Sequence, residues 1–167
     1  MATTTPPTTA SNADLVRWAF DRLNEQDLDA VRQLWTAETV ERFPDRTCVG
    51  EAEIAAYFTE AFAAIPDWHM EVKAVAETGP EVFVRWHLTG THSAPILGIE
   101  ATGRALAVDG MDHFTLSDGK VLSNFVVFDR MQWAQQIGMV PADGSAGDRA
   151  MKAAFNVRTR ALARLRR

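Results

Sequence analysis

Cysteine is almost absent from this chain. Its single copy, Cys48, excludes an internal disulfide and a thiolate metal cluster and suits a reducing compartment. Cys48 is expected to be a small core residue. No apolar run approaches the roughly 20 residues that cross a bilayer, and the Thr/Pro-rich N-terminus has neither a basic nor an apolar signal region. A cytoplasmic protein with no membrane partner is expected. Positive charge is also short: the formal net charge is −5, which argues against a nucleic-acid platform, because phosphate binding needs a concentrated basic surface.

What is present suits one compact unit. A chain of 167 residues with 47% hydrophobic content can bury one good core, with no room for a second domain of ordinary size. There is no internal repeat. Residues 1–11 lack anything to pack and are expected to form a disordered leader, residues 12–141 a folded domain, and residues 142–167 a linker and a basic C-terminal helix. Residues 149–167 hold seven of the seventeen Lys and Arg and no acid. An amphipathic helix is expected there, with Met151, Phe155 and Leu162 packing on the body or on a second subunit; contact with an anionic partner is the sharper alternative.

Ser11 and Asp14 form a capping box, and Val16, Ala19, Phe20 and Leu23 keep a helical period as far as Gln26. Asp27 can cap a second short helix carrying Leu28, Val31 and Trp35. Thr39 to Phe43 reads as a short strand ended by Pro44. After Gly50 the cleanest helical stripe follows: Ile54, Tyr57, Phe58, Ala61, Phe62 and Ile65, stopped by Pro66. From Trp68 the period changes to two, over residues 68–77, 81–92, 104–117 and 120–128, with turns at Gly79-Pro80 and Asp118-Gly119. This order predicts an α+β fold with helices on one face of a strongly curved antiparallel sheet.

Alternation sorts the strand residues by face. Val82, Val84, Trp86 and Leu88 form a core face. Phe83, Arg85, His87 and Thr89 lie opposite, either on an exposed sheet surface or as a polar cluster in a cavity; the pattern allows both. On the next strand Val108, Gly110, Asp112 and Phe114 share a face, so Asp112 and its neighbour His113 cannot enter one pocket. An apolar-lined Asp112 flanked by Gly110 would have its pKa raised by desolvation and could act as a general base. Asn124, Val126 and Phe128 share a face of the last strand, and Asp129 reads as the N-cap of a helix over residues 130–137. His69 reads as a strand-surface or satisfied core residue. The loop from Ser93 to Gly103 is a candidate cover for a cavity mouth. No metal is expected, because His87 and His92 point to opposite faces and no His/Glu helix motif occurs.

Thr89-Gly90-Thr91-His92, Ala101-Thr102-Gly103-Arg104, Asp118-Gly119-Lys120, Asp129 and Gln136-Ile137-Gly138, preceded by Ile65-Pro66-Asp67, resemble the SnoaL-like polyketide cyclases of the nuclear transport factor 2-like superfamily. The similarity covers about residues 12–141. It implies a cone-shaped α+β barrel enclosing a deep apolar cavity, usually dimeric, and often an enzyme without a cofactor. Relatives include ring cyclases, isomerases, dehydratases and epoxide hydrolases, so the fold does not fix the reaction. Three positions depart from the pattern. Val126 stands where family members commonly carry an acid on the final strand, Arg42 where many show histidine, and Arg85-Trp86-His87 where epoxide hydrolases have Arg-x-Asp.

The expected activity is therefore cofactor-independent cyclisation or isomerisation of a polyketide-like or other hydrophobic carbonyl compound, by acid/base catalysis. Asp112 or His87 would be the base, with Arg85 and Asn124 as donors. Phe83, Phe114, Val126, Phe128 and Arg42 would bind the substrate, and the working form would be a homodimer. Two alternatives belong to other classes. One is an epoxide-opening hydrolase or cyclase using Asp112 with Arg85 or His87; the other is a binding protein without catalysis, which the absent acid at Val126 favours.

Overall fold

The computed structural model describes residues 5–7 and 11–165, so the expected leader lies outside the described residues except for residues 5–7 and Ser11. Helix α1 (Asn12–Asn24) begins at Ser11, whose Oγ accepts from the Asp14 amide at 3.1 Å. It buries Leu15, Val16, Ala19, Phe20 and Leu23 along one stripe. Gln26 turns the chain with a left-handed φ of 56°, and Asp27 caps the short helix α2 (Leu28–Val31) by accepting from the Ala30 amide at 3.0 Å. A 3-10 turn, Arg32–Leu34, leads to strands β1 (Val40–Arg42) and β2 (Thr47–Val49). Helix α3 (Gly50–Ala64) follows, then β3 (His69–Thr78), β4 (Glu81–Thr91), β5 (Ala105–Ser117) and β6 (Lys120–Phe128).

The six strands form one sheet in the order β2-β1-β6-β5-β4-β3, antiparallel throughout except where β1 runs parallel to β6. β2 went unread in the sequence. Pro44 and Asp45 make a turn rather than an end, closed by the Phe43 amide on the Arg46 carbonyl at 2.9 Å. Bulges at Lys73 on β3 and at Leu122 on β6, the latter opposite Thr115 and Leu116, add local bend and twist to the sheet. The inner face of β4 (Val82, Val84, Trp86, Leu88) packs in one core with α1 and α3, and Cys48 is buried in it. Among the described residues no helix is long and apolar enough to cross a membrane.

Helices α4 (Arg130–Gln136) and α5 (Ala146–Leu165) follow the sheet. Of the two packing sites expected for the C-terminal helix, the body and a second subunit, the first is excluded here. Met151, Phe155 and Leu162 do not pack on the body: they are 47%, 65% and 45% exposed, and α5 leaves the domain as a free-standing helix.

Asp129 caps α4, its Oδ1 accepting from the amides of Met131 at 2.9 Å and Gln132 at 3.0 Å. The helix it starts delivers Ile137 to a small core with Leu106 and Ile65. Asp129→Ala should lower stability by about 1 kcal/mol, the usual cost of a lost N-cap. Urea unfolding of the two proteins checks this, and an unchanged midpoint would remove the cap from the account.

Candidate functional site

A cavity of about 120 Å³ lies between the helices and the inner sheet face. A single water needs roughly 10–15 Å³ on this measure, so the chamber has room for an organic guest. Its walls are largely apolar: Phe20 and Leu23 from α1, Phe58 from α3, Leu88 from β4, Phe114 from β5 and Val126 from β6. Ile96, Leu97, Arg130 and Trp133 line it where it meets solvent, so the loop after β4 and the start of α4 frame the mouth.

The wall carries half-buried Asp45 and Tyr57 and the exposed Arg130, and three further polar side chains deep within it. Glu41 comes from β1, Asn124 from β6 and Asp112 from β5, and all three are buried. The strand order explains the meeting. β6 lies between β1 and β5, Asn124 pairs in register with Glu41 on one side and Phe114 on the other, and Asp112 is one inward step along β5. The Asn124 amide nitrogen lies 3.4 Å from both Glu41 Oε2 and Asp112 Oδ2. Trp86 Nε1 donates to the other Asp112 oxygen at 3.0 Å, and the Trp35 side chain hydrogen-bonds Glu41. Each carboxyl is thus held by an indole, and both share one amide. Asn124 Oδ1 has no partner.

Burial raises both acids, because a charged carboxylate loses its hydration in an apolar chamber. Glu41 is pushed up to about 8, by burial first and then by the nearby Asp112; its bonds to Asn124 and Trp35 oppose the rise. Asp112 is pushed up to about 6 by burial, against the bonds from Trp86 and Asn124. Burial of both groups, and the further push that Asp112 gives Glu41, favour a single proton held by the pair near neutral pH, with Glu41 the more strongly raised. Gly110 makes the second of these contacts possible: a Cβ there would sit 2.2 Å from the Trp86 ring, so only glycine lets that indole lie against β5 and reach Asp112.

The sequence-derived candidates divide by face. Asp112, Asn124, Phe114, Val126 and Phe128 line the cavity. Arg85, His87 and Phe83 do not, which corrects their expected place at the site. Trp86 occupies the inner face, so its neighbours point outward: Arg85 is exposed, His87 Nδ1 lies 3.2 Å from Asp109 on the outer surface, and Phe83 stacks on His113 at 4.2 Å. Arg42 is exposed for the same reason, because its neighbour Glu41 takes the inward position. Glu41 was missed. Its one signal was the alternation in Val40-Glu41-Arg42-Phe43, which puts Glu41 and Phe43 on one face; both line the cavity. His69 is exposed, while His92 is wholly buried beside Trp133, with Nδ1 3.1 Å from Thr102 Oγ1 and outside the cavity wall. Among the described residues no three His, Cys, Asp or Glu side chains are gathered to hold a metal.

The sequence profile of the SnoaL-like polyketide cyclases matches residues 13–137. No curated protein sequence matches the chain. Among solved structures, a candidate SnoaL-like polyketide cyclase from Jannaschia sp. CCS1 superimposes with a TM-score of 0.71 at 24% identity, covering 81% of this chain and 100% of that one. AclR, a candidate hydroxylase from Streptomyces galilaeus, gives 0.66 at 23% identity, over 74% and 92% of the two chains. IdmH, a candidate polyketide cyclase from Streptomyces antibioticus, gives 0.67 at 20% identity, over 77% and 99%. At these identities the structural likeness concerns the fold.

The acid pair carries a pH signature of its own. A carboxyl whose pKa is higher in the folded chain than in the unfolded one favours folding while protonated. That contribution is complete below the ordinary carboxylate range and is lost as pH rises through about 6 for Asp112 and about 8 for Glu41. The melting temperature should therefore fall across this window. Asp112→Asn should flatten the lower part of the slope and Glu41→Gln the upper part. Melting curves in matched buffers test this; parallel slopes in all three proteins would show that the two acids are not buried as described.

Proposed function

Because the chain belongs to the SnoaL-like polyketide cyclase family, we propose that it catalyses cyclisation or isomerisation of a hydrophobic, polyketide-like carbonyl compound without a cofactor. The observation that carries this reading is the buried acid pair, Glu41 and Asp112, bridged by the Asn124 amide in an apolar chamber, with burial raising both and Glu41 more strongly. Pairs whose environments separate their protonation states supply a base and an acid at the same pH.

Asp112, as the carboxylate, takes a proton from a carbon beside the substrate's carbonyl. Negative charge moves to the carbonyl oxygen, where the Glu41 hydroxyl and the Asn124 amide can meet it. In a cyclisation the resulting enolate carbon bonds to a second carbonyl carbon, and Glu41 protonates the new alkoxide. Asp112 then holds the proton taken from carbon and Glu41 has lost one. Proton return from Asp112 to Glu41, which flank the same amide, restores the starting state. Phe114, Phe128 and Val126 are walls for a flat apolar body. We assign the working form to a cytoplasmic homodimer, for which the buried free thiol of Cys48 suits a reducing compartment.

The same register weighs against the reading as a binding protein, which rested on Val126. Asp112 on β5 is the cross-strand partner of Val126 on β6. Directly opposed side chains sit about 5 Å apart at Cβ, so a neighbouring strand supplies a carboxyl beside the position where relatives carry one. Epoxide opening remains the second reading, with Glu41 rather than Arg85 or His87 as the acid, because Glu41 is the neutral donor inside the cavity.

Incubation with a panel of fused-ring and open-chain polyketide-like ketones in deuterium oxide separates the steps. The wild type should exchange the carbon-bound hydrogen and form product. Asp112→Asn should lose both by about 10²- to 10⁴-fold, the usual worth of a general base. Glu41→Gln should keep measurable exchange while product formation falls. The rate should follow a bell whose limbs belong to the coupled pair, near 6 and near 8. Wild-type turnover by both variants would remove this site from the chemistry.

A further inference from the structure

The cavity is zoned along one strand. Asn124, Val126 and Phe128 face it from β6, and Asp129 keeps an extended backbone (φ −75°, ψ 96°), so the alternation runs on into Arg130 at the rim. From depth to mouth the row reads amide, valine, phenylalanine, guanidinium. Arg130 Nη1 donates to the Pro44 carbonyl, in the turn between β1 and β2, at 3.1 Å. Pro44 stands three residues past Glu41, so this anchor lies up to roughly 10 Å from the level of the acid pair.

The two ends differ in sign. The deep end holds Glu41 and Asp112, which repel a further negative charge while either is ionised. At the mouth, Arg130 has no carboxylate within ion-pair distance among the described residues, and Pro44 engages only one of its nitrogens. The nearest acids of the rim are already matched. Asp45 accepts from Arg46 Nε at 3.1 Å and from the Tyr57 hydroxyl at 3.4 Å, and Glu60 accepts from the Arg46 Nη2 at 2.7 Å. The rim thus pairs off its own carboxylates and retains one cation on the cavity wall.

We propose that the ligand is a hydrophobic keto acid whose ionised carboxylate is received by Arg130, while its reacting carbonyl lies between Asp112 and Glu41. The carbonyl end rests on the cyclase reading above; the carboxylate end rests on Arg130 alone. A guanidinium presents paired N–H donors to the two oxygens of a carboxylate, a match that a neutral ester does not offer. The opposed ends also orient the guest. Carbonyl first, its charge meets Arg130; reversed, its charge would meet the buried acids in a medium that screens poorly. Val126 and Phe128, between the two ends, take the apolar body.

Binding tests this without any turnover. The full-length chain is titrated calorimetrically at neutral pH with anthraquinonecarboxylic acid, a flat keto acid, and with its methyl ester. Wild type should bind the acid about tenfold more tightly than the ester, the worth of one charge-assisted contact, and added salt should narrow the gap. Arg130→Gln should bring acid and ester to equal affinity with the ester's own affinity unchanged, which also shows that the variant is folded; Arg130→Lys should keep part of the preference. The proposal is overturned if wild type binds the ester as tightly as the acid, if it binds neither, or if Arg130→Gln retains the full preference. The two readings fail separately. A charge preference that holds while Asp112→Asn turns ketones over like wild type leaves the carboxylate site standing and removes the acid-pair chemistry, whereas equal affinities beside Asp112-dependent turnover do the reverse.

Discussion

Two carboxyl groups and one shared amide, enclosed in an apolar chamber, are the constraint on which the rest of this molecule turns. Arg130 is the one cationic side chain among the cavity-lining residues, and it stands at the mouth. With no cation beside them, ionisation of both Glu41 and Asp112 is disfavoured: burial opposes each charge, and the charge on Asp112 opposes that on Glu41. The architecture serves that arrangement in detail. The parallel pairing of β1 with β6 brings an N-terminal residue to the middle of a C-terminal meander, and Gly110 clears the space through which Trp86 reaches Asp112.

Much of this fold was readable from periodicity alone. The stripe from Ile54 to Ile65 and the alternation along β4 and β5 correspond to real buried faces, because an element several turns or many residues long repeats its pattern often enough to be unambiguous. Asp112 was found for the same reason, sharing a face with Val108 and Phe114. Alternation alone does not tell which of two faces is hollow. The Phe83, Arg85 and His87 row looked like a polar cavity lining, yet one sheet face cannot hold both that row and Trp86. The bulky Trp86, between Val84 and Leu88, was the stronger indicator of the inside.

Glu41 was hidden for a different reason. β1 has three residues, too few to establish a period, and its partner is a strand some eighty positions away. Local sequence offered a charged pair, Glu41-Arg42, and no means of ranking them; only pairing with Asn124 settles which one turns inward. The free helix α5 shows the same limit at larger scale. Its helical pattern was legible, whereas its exposure along the whole described length from Arg149 to Leu165 was not.

A structural role for the buried trio would be hard to justify. Carboxyl groups in an apolar interior lose hydration that one shared 3.4 Å amide contact and an indole apiece only partly replace. Apolar side chains of similar volume would hold β1, β6 and β5 together at least as well, as Val126, Val121 and Phe114 do around them. Asn124 Oδ1 is left without any partner, an omission that costs free energy in a packed core but is useful where a guest's hydroxyl is to be received. The groups also border the empty space rather than the solid core, within reach of whatever enters. Polar residues that work against the stability of the fold, at the wall of a chamber large enough for an organic molecule, support the proposed chemistry on that molecule.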